Sequence, residues 1–136
     1  MLSTFALASA IGGRAIGADV RFHAVTTDSR EISPGLLFVA LRGERFDGHD
    51  FVASALQQGA VAALVDATSR TRERAPNANL IEVDNTKSAL ARFASWWRAR
   101  FALPLIGVAG SNGKTTVKEM IASILRAHFG NAQVLA

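Results

Sequence analysis

The chain has 136 residues, 49% apolar and 19% charged, which suits one ordinary domain with a buried core and excludes a wholly disordered or collagenous polypeptide. It has no cysteine, so disulfides, thiolate metal sites and cysteine nucleophiles are all excluded. The net charge is +4 and the pI about 10.7, which suits an anionic partner, but Arg70, Arg72 and Arg74 form the tightest basic group, are broken by Glu73, and read as a solvated loop. With no tyrosine for base stacking either, no nucleic-acid partner is expected. No apolar run approaches the roughly 18 residues of a spanning helix, so no membrane insertion is expected.

Leu2 to Ile11 is apolar, and Ala8-Ser9-Ala10 imitates a signal-peptidase site. No Lys or Arg precedes that run, so it reads as an amphipathic helix capped by Ser3 or Thr4 and stopped at Gly12-Gly13. Val20 to Val25 alternates apolar and polar residues, as one half-buried strand would. Ser33-Pro34-Gly35 is a turn, and the continuous apolar run Leu36 to Leu41 is a buried strand. Gly43 to Asp50 is a polar loop. Phe51, Ala55 and Leu56 recur at helical spacing up to Gly59, and Val61 to Val65 is another buried strand. Thr68 to Asn79 is a polar surface loop, followed by a strand over Leu80 to Val83.

Asp84-Asn85-Thr86 can cap a helix whose stripe is Leu90, Phe93, Trp97 and Phe101; both Trp96 and Trp97 are expected in the core. After Pro104 the pattern predicts a strand over Leu105 to Ala109, a loop over Gly110 to Gly113, and a helix from Lys114 to about Phe129. That helix is expected to bury Val117, Ile121, Ile124 and Leu125. Asn131 to Ala136 resembles the start of another strand. Strands alternating with helices indicate an α/β fold, with Val25, Leu37, Val39, Ala63, Val65 and Ile81 as its core. A lone strand–loop–helix cannot complete a parallel sheet. The expected organisation is therefore a whole domain over 1–83, then over 84–136 a linker helix and the opening piece of a second domain.

Gly110-Ser111-Asn112-Gly113-Lys114-Thr115-Thr116 carries the clearest chemistry. Glycines let consecutive N–H groups converge on one anion, and the helix that starts here adds the positive end of its dipole. Lys114 supplies a cation for the β- and γ-phosphates and Thr115 a hydroxyl for Mg²⁺. The loop departs from the general pattern G-x-x-x-x-G-K-[ST], whose first glycine would fall on Val108. The bland alternative is a glycine turn with an ordinary first-turn lysine. A lysine at that end of a helix opposes the dipole, however, and calls for an anion.

Three blocks resemble the Mur ligase family. They are Thr27-Asp28-Ser29-Arg30; Pro34 to Leu41; and Gly43-Glu44-Arg45-Phe46-Asp47-Gly48-His49-Asp50-Phe51, which Ala60 to Val65 continues. The loop Gly110 to Thr116 resembles that family's own short form of the ATP motif. The resemblance implies an α/β fold: a small UDP-binding domain followed by the first strand–P-loop–helix of a Rossmann-like ATPase domain. Gly43 to Asp47 and Val117-Lys118-Glu119-Met120 look most like the branch that adds D-alanyl-D-alanine to a UDP-N-acetylmuramoyl-tripeptide, a cytoplasmic step of peptidoglycan synthesis. The diaminopimelate- or lysine-adding branch is the near alternative, and a non-catalytic nucleotide-binding module the distant one. Folylpolyglutamate synthase lacks the first domain that these blocks describe.

By matched position, Gly110, Ser111, Asn112, Gly113, Lys114, Thr115 and Thr116 would bind ATP, with Thr115 on Mg²⁺. Ser29, Glu44, Arg45 and Phe46 would contact the uridine diphosphate end. Three of them also have a plain reading: an Asp28–Ser29 turn for Ser29, a solvated loop charge for Arg45, a small local core for Phe46. His49 or Asp50 would cap the next helix, or His49 would line the site, while His23 and His128 are structural. No set of His, Asp and Glu has metal-ligand spacing. Three-domain family members carry their Mg²⁺ carboxylate, modified lysine and acceptor pocket beyond the ATP-loop helix, so these 136 residues alone are expected not to catalyse ligation.

Overall fold

The computed structural model describes residues 1–136 and divides into two compact units, Met1–Phe101 and Ala102–Ala136. In the first, β1 (Leu2–Ser3) leads into helix α1 (Thr4–Ile11). The Ser3 hydroxyl accepts from the Ala6 N–H, and Gly12 in left-handed backbone closes the helix, as the pattern predicts. Strand β2 (Arg14–Ile16), absent from the sequence reading, runs antiparallel to β7 (Leu80–Val83). Between Val20 and Val25 the expected single strand is two. β3 (Arg21–Phe22) pairs with β1, and β4 (Ala24–Thr26) pairs with β5 (Leu36–Val39). The break falls at His23, whose N–H leaves the ladder to reach the Gly35 carbonyl at 3.1 Å.

The main sheet has the order β2-β7-β6-β5-β4, with β6 at Ala62–Asp66 and β4 to β7 all parallel. Parallel strands need cover on both faces, which explains the continuous apolar runs. Leu37, Val39, Leu64 and Ile81 point to one face and pack with Leu7 and Ile11 of α1. Phe38, Ala63, Val65 and Leu80 point to the other and pack with Val52 and Ala55 of α2 (Val52–Gln57), which follows a 3-10 turn at Gly48–Phe51. Of the expected core residues, Leu37, Val39, Ala63, Val65 and Ile81 are fully buried and Val25 is half-buried. A one-turn helix, α3 (Thr71–Arg74), interrupts the expected loop over 68–79.

Helix α4 (Thr86–Arg98) is capped by Asn85 and belongs to the first unit, which moves the expected boundary from residue 83 to residue 101. The reason is packing: Ala89 is fully buried, and Leu90 and Phe93 lie against the same cluster as α1. Past Phe93 the aromatic stripe leaves the core. Trp97 and Phe101 are 41% and 42% exposed, contrary to the expectation of a buried Trp97. They form a surface cluster with Phe93 and Trp96, and the Arg100 guanidinium lies 4.0 Å from the centre of the Trp96 ring.

The second unit holds α5 (Lys114–Phe129) and a 3-10 turn at Asn131–Gln133, where a strand was expected. The expected strand over Leu105 to Ala109 is also absent as a ladder. A strand exists through a neighbour's N–H and C=O groups, and this unit offers no second extended segment to pair with. For the same reason the expected buried face of α5 is incomplete. Ala122 is buried, and Ile121 and Leu125 half-buried, but Val117 is 45% and Ile124 68% exposed. No helix is long and apolar enough to cross a membrane.

Candidate functional site

Because β4 to β7 are parallel, the segments after their carboxyl ends lie along one edge of the sheet, where open α/β folds bind ligands. Ser29 follows β4, the Gly43–Gly48 loop follows β5, Asp66 closes β6 and Asp84 follows β7. The Asp28 carboxylate accepts from the backbone N–H and Nε of Arg30, both at 2.9 Å. The Arg30 side chain is the main cause that holds this carboxyl down at about 2, with the Arg30 backbone N–H adding to it. The turn read at Asp28 is thus formed, and it leaves the half-buried Ser29 hydroxyl outside the clamp.

The loop after β5 is a tight turn. Gly43 N–H donates to the Phe46 carbonyl at 2.9 Å, and Gly48 N–H to Leu41 at 2.8 Å. A side chain at Gly48 would put Cβ 2.7 Å from the backbone N and O of Leu41, so only glycine allows the chain to close here. Glu44, Arg45 and Phe46 stand exposed at the tip. Phe46 is 73% exposed, so it is no local core.

Behind the tip lies a polar network that the sequence reading missed. Asp47, not His49 or Asp50, caps the 3-10 turn by accepting from the His49 N–H at 3.0 Å. The His49 ring is buried: Nδ1 lies 2.5 Å from Asp47, and Nε2 accepts from the Asp66 N–H at 2.9 Å. The buried Asp66 carboxylate accepts from the Thr86 N–H at the start of α4 at 2.7 Å, and Arg42 Nε donates to Asp47 at 3.0 Å. Burial works to raise the Asp47 carboxyl, but the His49 backbone N–H, its ring and Arg42 together hold it at about 2. The sequence signal for Asp66 is slight: a single acid closing the apolar run 61–65.

In the second unit, Gly113 adopts φ +72° immediately before α5, a conformation that favours glycine, and no side chain caps the helix. Lys114 folds back, its Nζ 2.6 Å from the Gly110 carbonyl and 3.3 Å from that of Ser111. Lys114 and Thr115 line a pocket of about 260 Å³ together with Ile106, Val108 and Lys118. Ser111, Asn112 and Thr116 are exposed alongside. A larger cleft of about 410 Å³ by Gly13, Arg14, Glu82 and Asp84 contains none of the candidate ligand-binding residues read from the sequence. Its Arg14–Glu82 pair, at 2.9 Å, satisfies its own charge.

Residues 21–98 match the model of the Mur ligase family, catalytic domain, and residues 108–136 that of the Mur ligase middle domain. The chain belongs to the Mur ligase family. Its α/β sheet architecture is that of the amino-terminal part of a solved Acinetobacter baumannii MurF. The TM-score is 0.74 at 32% identity, over 89% of this chain and 26% of that one. A Thermotoga maritima MurF ligase solved in complex with ADP aligns with a TM-score of 0.65 at 34% identity, over 79% of this Mur ligase chain and 23% of that structure.

Among relatives, the UDP-N-acetylmuramoyl-tripeptide–D-alanyl-D-alanine ligase of Synechocystis sp. is 44% identical over 116 residues, 85% of this chain and 25% of the relative. A 2,6-diaminopimelate-adding Mur ligase of Clostridium acetobutylicum is 36% identical over 116 residues, 84% of this chain and 23% of the relative. This Mur ligase chain therefore spans about a quarter of the length of the relatives it matches.

Proposed function

We propose that the chain is the amino-terminal portion of an ATP-dependent Mur ligase that adds D-alanyl-D-alanine to a UDP-N-acetylmuramoyl-tripeptide in the cytoplasm. The observation that carries the choice of branch is the higher identity to ligases named for that reaction than to the diaminopimelate-adding one. In this reading the first unit grips the uridine diphosphate end. Ser29 beside the Asp28–Arg30 clamp, and Glu44, Arg45 and Phe46 at the loop tip, supply the contacts. Arg45 brings charge for the diphosphate, and the exposed Phe46 ring brings a face for the base.

Loop Gly110–Thr116 grips ATP. No side chain caps the start of α5, so its first N–H groups are available to donate to a phosphate. Lys114 exchanges the Gly110 and Ser111 carbonyls for phosphate oxygens, with little movement of its stem. The exposed Thr115 hydroxyl would hold a Mg²⁺ that enters with ATP, and that ion would supply neutralisation of phosphate charge. The chemistry served is activation of a poor electrophile. ATP phosphorylates the terminal carboxylate of the tripeptide, and the amine of D-alanyl-D-alanine displaces phosphate from the acyl phosphate. The chain's own residues contribute positioning and charge neutralisation to that sequence.

Titration calorimetry with UDP and fluorescence titration with a labelled ATP test the two halves separately. Ser29→Ala is expected to weaken UDP binding several-fold, and Lys114→Ala to abolish ATP binding while leaving UDP binding intact. No UDP binding at millimolar concentration removes the uridine site, and equal ATP affinity in Lys114→Ala removes the phosphate loop.

A further inference from the structure

We propose that His49 is a positioning residue for the substrate loop: a neutral imidazole that carries its proton on Nδ1 and ties the Gly43–Gly48 turn to strand β6. The inference rests on the reading of that loop as the grip on the uridine diphosphate end. A backbone N–H can only donate, so the Asp66 N–H at 2.9 Å requires an unprotonated Nε2. The ring proton is then on Nδ1, which faces the Asp47 carboxylate at 2.5 Å. Both ring nitrogens are thereby assigned, and the ring orientation with them. The ring side chain is only 4% exposed, so no water competes for either bond.

The tie matters because of what it joins. Asp47 is the residue immediately after the exposed Glu44-Arg45-Phe46 tip, while Asp66 closes a strand whose five residues are all buried. The turn's own bonds, Gly43 to Phe46 and Gly48 to Leu41, hold its shape but not its placement against β6. Other charged groups around the ring are already committed. The Asp66 carboxylate lies 3.8 Å from Nε2 and is taken by the Thr86 N–H, and Arg42 spans to Asp47 at 3.0 Å and towards Asp66 at 4.0 Å. The ring is thus the buried side-chain link between the rigid strand and the tip, with the exposed Arg42 side chain spanning the same two carboxylates from outside.

Two substitutions separate positioning from mere filling of the core. In His49→Asn the amide nitrogen replaces Nδ1 and keeps the donor to Asp47, but nothing accepts from the Asp66 N–H. In His49→Gln the amide oxygen replaces Nε2 and keeps that acceptor, but the donor to Asp47 is lost. On the full chain, thermal melting is expected to rank Gln above Asn, because a buried unpaired N–H destabilises the fold. UDP affinity is expected to fall roughly tenfold in both variants despite their different stabilities, because each severs one end of the tie, and tenfold is the effect of one such hydrogen bond. Asp47→Asn is expected to weaken UDP binding as Gln does.

Nitrogen-15 shifts of His49 in the unmodified chain give a reading that needs no variant: Nδ1 protonated and Nε2 bare. An Nε2–H tautomer or an imidazolium at neutral pH overturns the proposal. So do UDP affinities that simply follow the order of stability, or UDP binding equal to wild type in either His49→Asn or His49→Gln. If the unmodified chain binds no UDP at all, the loop reading falls and this role with it; if it binds and the variants bind as tightly, this role alone falls.

Discussion

Leu36–Ala40 and the apolar stripe of α5 have similar residue types and opposite environments. Every residue from Leu36 to Ala40 is buried, between α1 and α4 on one face and α2 on the other. On α5, Val117, Met120 and Ile124 are 45%, 61% and 68% exposed. An apolar stripe states which face seeks cover. Whether cover exists depends on what else the chain brings to that place, and the two units differ in that supply. Burial, and with it stability, is concentrated in the first unit.

Hydrogen exchange gives the largest expected contrast. Amides of β5 and β6 should exchange roughly three orders of magnitude more slowly than those in the central turns of α5, because exposed helices open locally while buried strands open with the whole fold. Equal protection would erase the distinction between the units. Truncation comes next. Leu37→Ala is expected to cost about 2–5 kcal/mol in urea unfolding, and Ile124→Ala to stay within about 0.5 kcal/mol. A large loss at Ile124 would mean that α5 is covered in solution.

Glycines sharpen the same comparison at smaller scale. Gly48→Ala drives Cβ into the Leu41 backbone, which cannot yield as a side-chain tip would, and should destabilise the first unit by about 1–3 kcal/mol. Gly113→Ala meets no atom within 4 Å, so only its φ of +72° resists the change, at about 1 kcal/mol, without moving the first unit's melting transition.

The smallest effect is that of pH on Asp47. Its folded carboxyl lies at about 2, below the ordinary 3.8, so the folded state binds fewer protons there than the unfolded chain. The stability it contributes is complete well above pH 3.8 and is lost as pH falls through about 2. Urea midpoints measured from pH 5 down to 2 should fall less steeply in Asp47→Asn than in the unmodified chain, and parallel curves would refute the assignment.

Local signals carried much of the architecture. Unbroken apolar runs at 36–41 and 61–65 mark the buried strands β5 and β6, and Ser3, Gly12 and Asn85 mark helix ends through bonds made within a few residues. Gly113-Lys114-Thr115 at a helix start is legible for the same reason, since its chemistry is contained in one turn of backbone. Tertiary structure alone decided what depends on distant partners. It split Val20–Val25 between two sheets, recruited Arg14–Ile16 to the edge of β7, and kept α4 with the first unit. It left Leu105–Ala109 without a ladder and Trp97 on the surface. It also joined Asp47, His49 and Asp66, because a hydrogen bond spanning 17 residues needs the β5–β6 crossover to bring its ends together, and no local pattern records that closure.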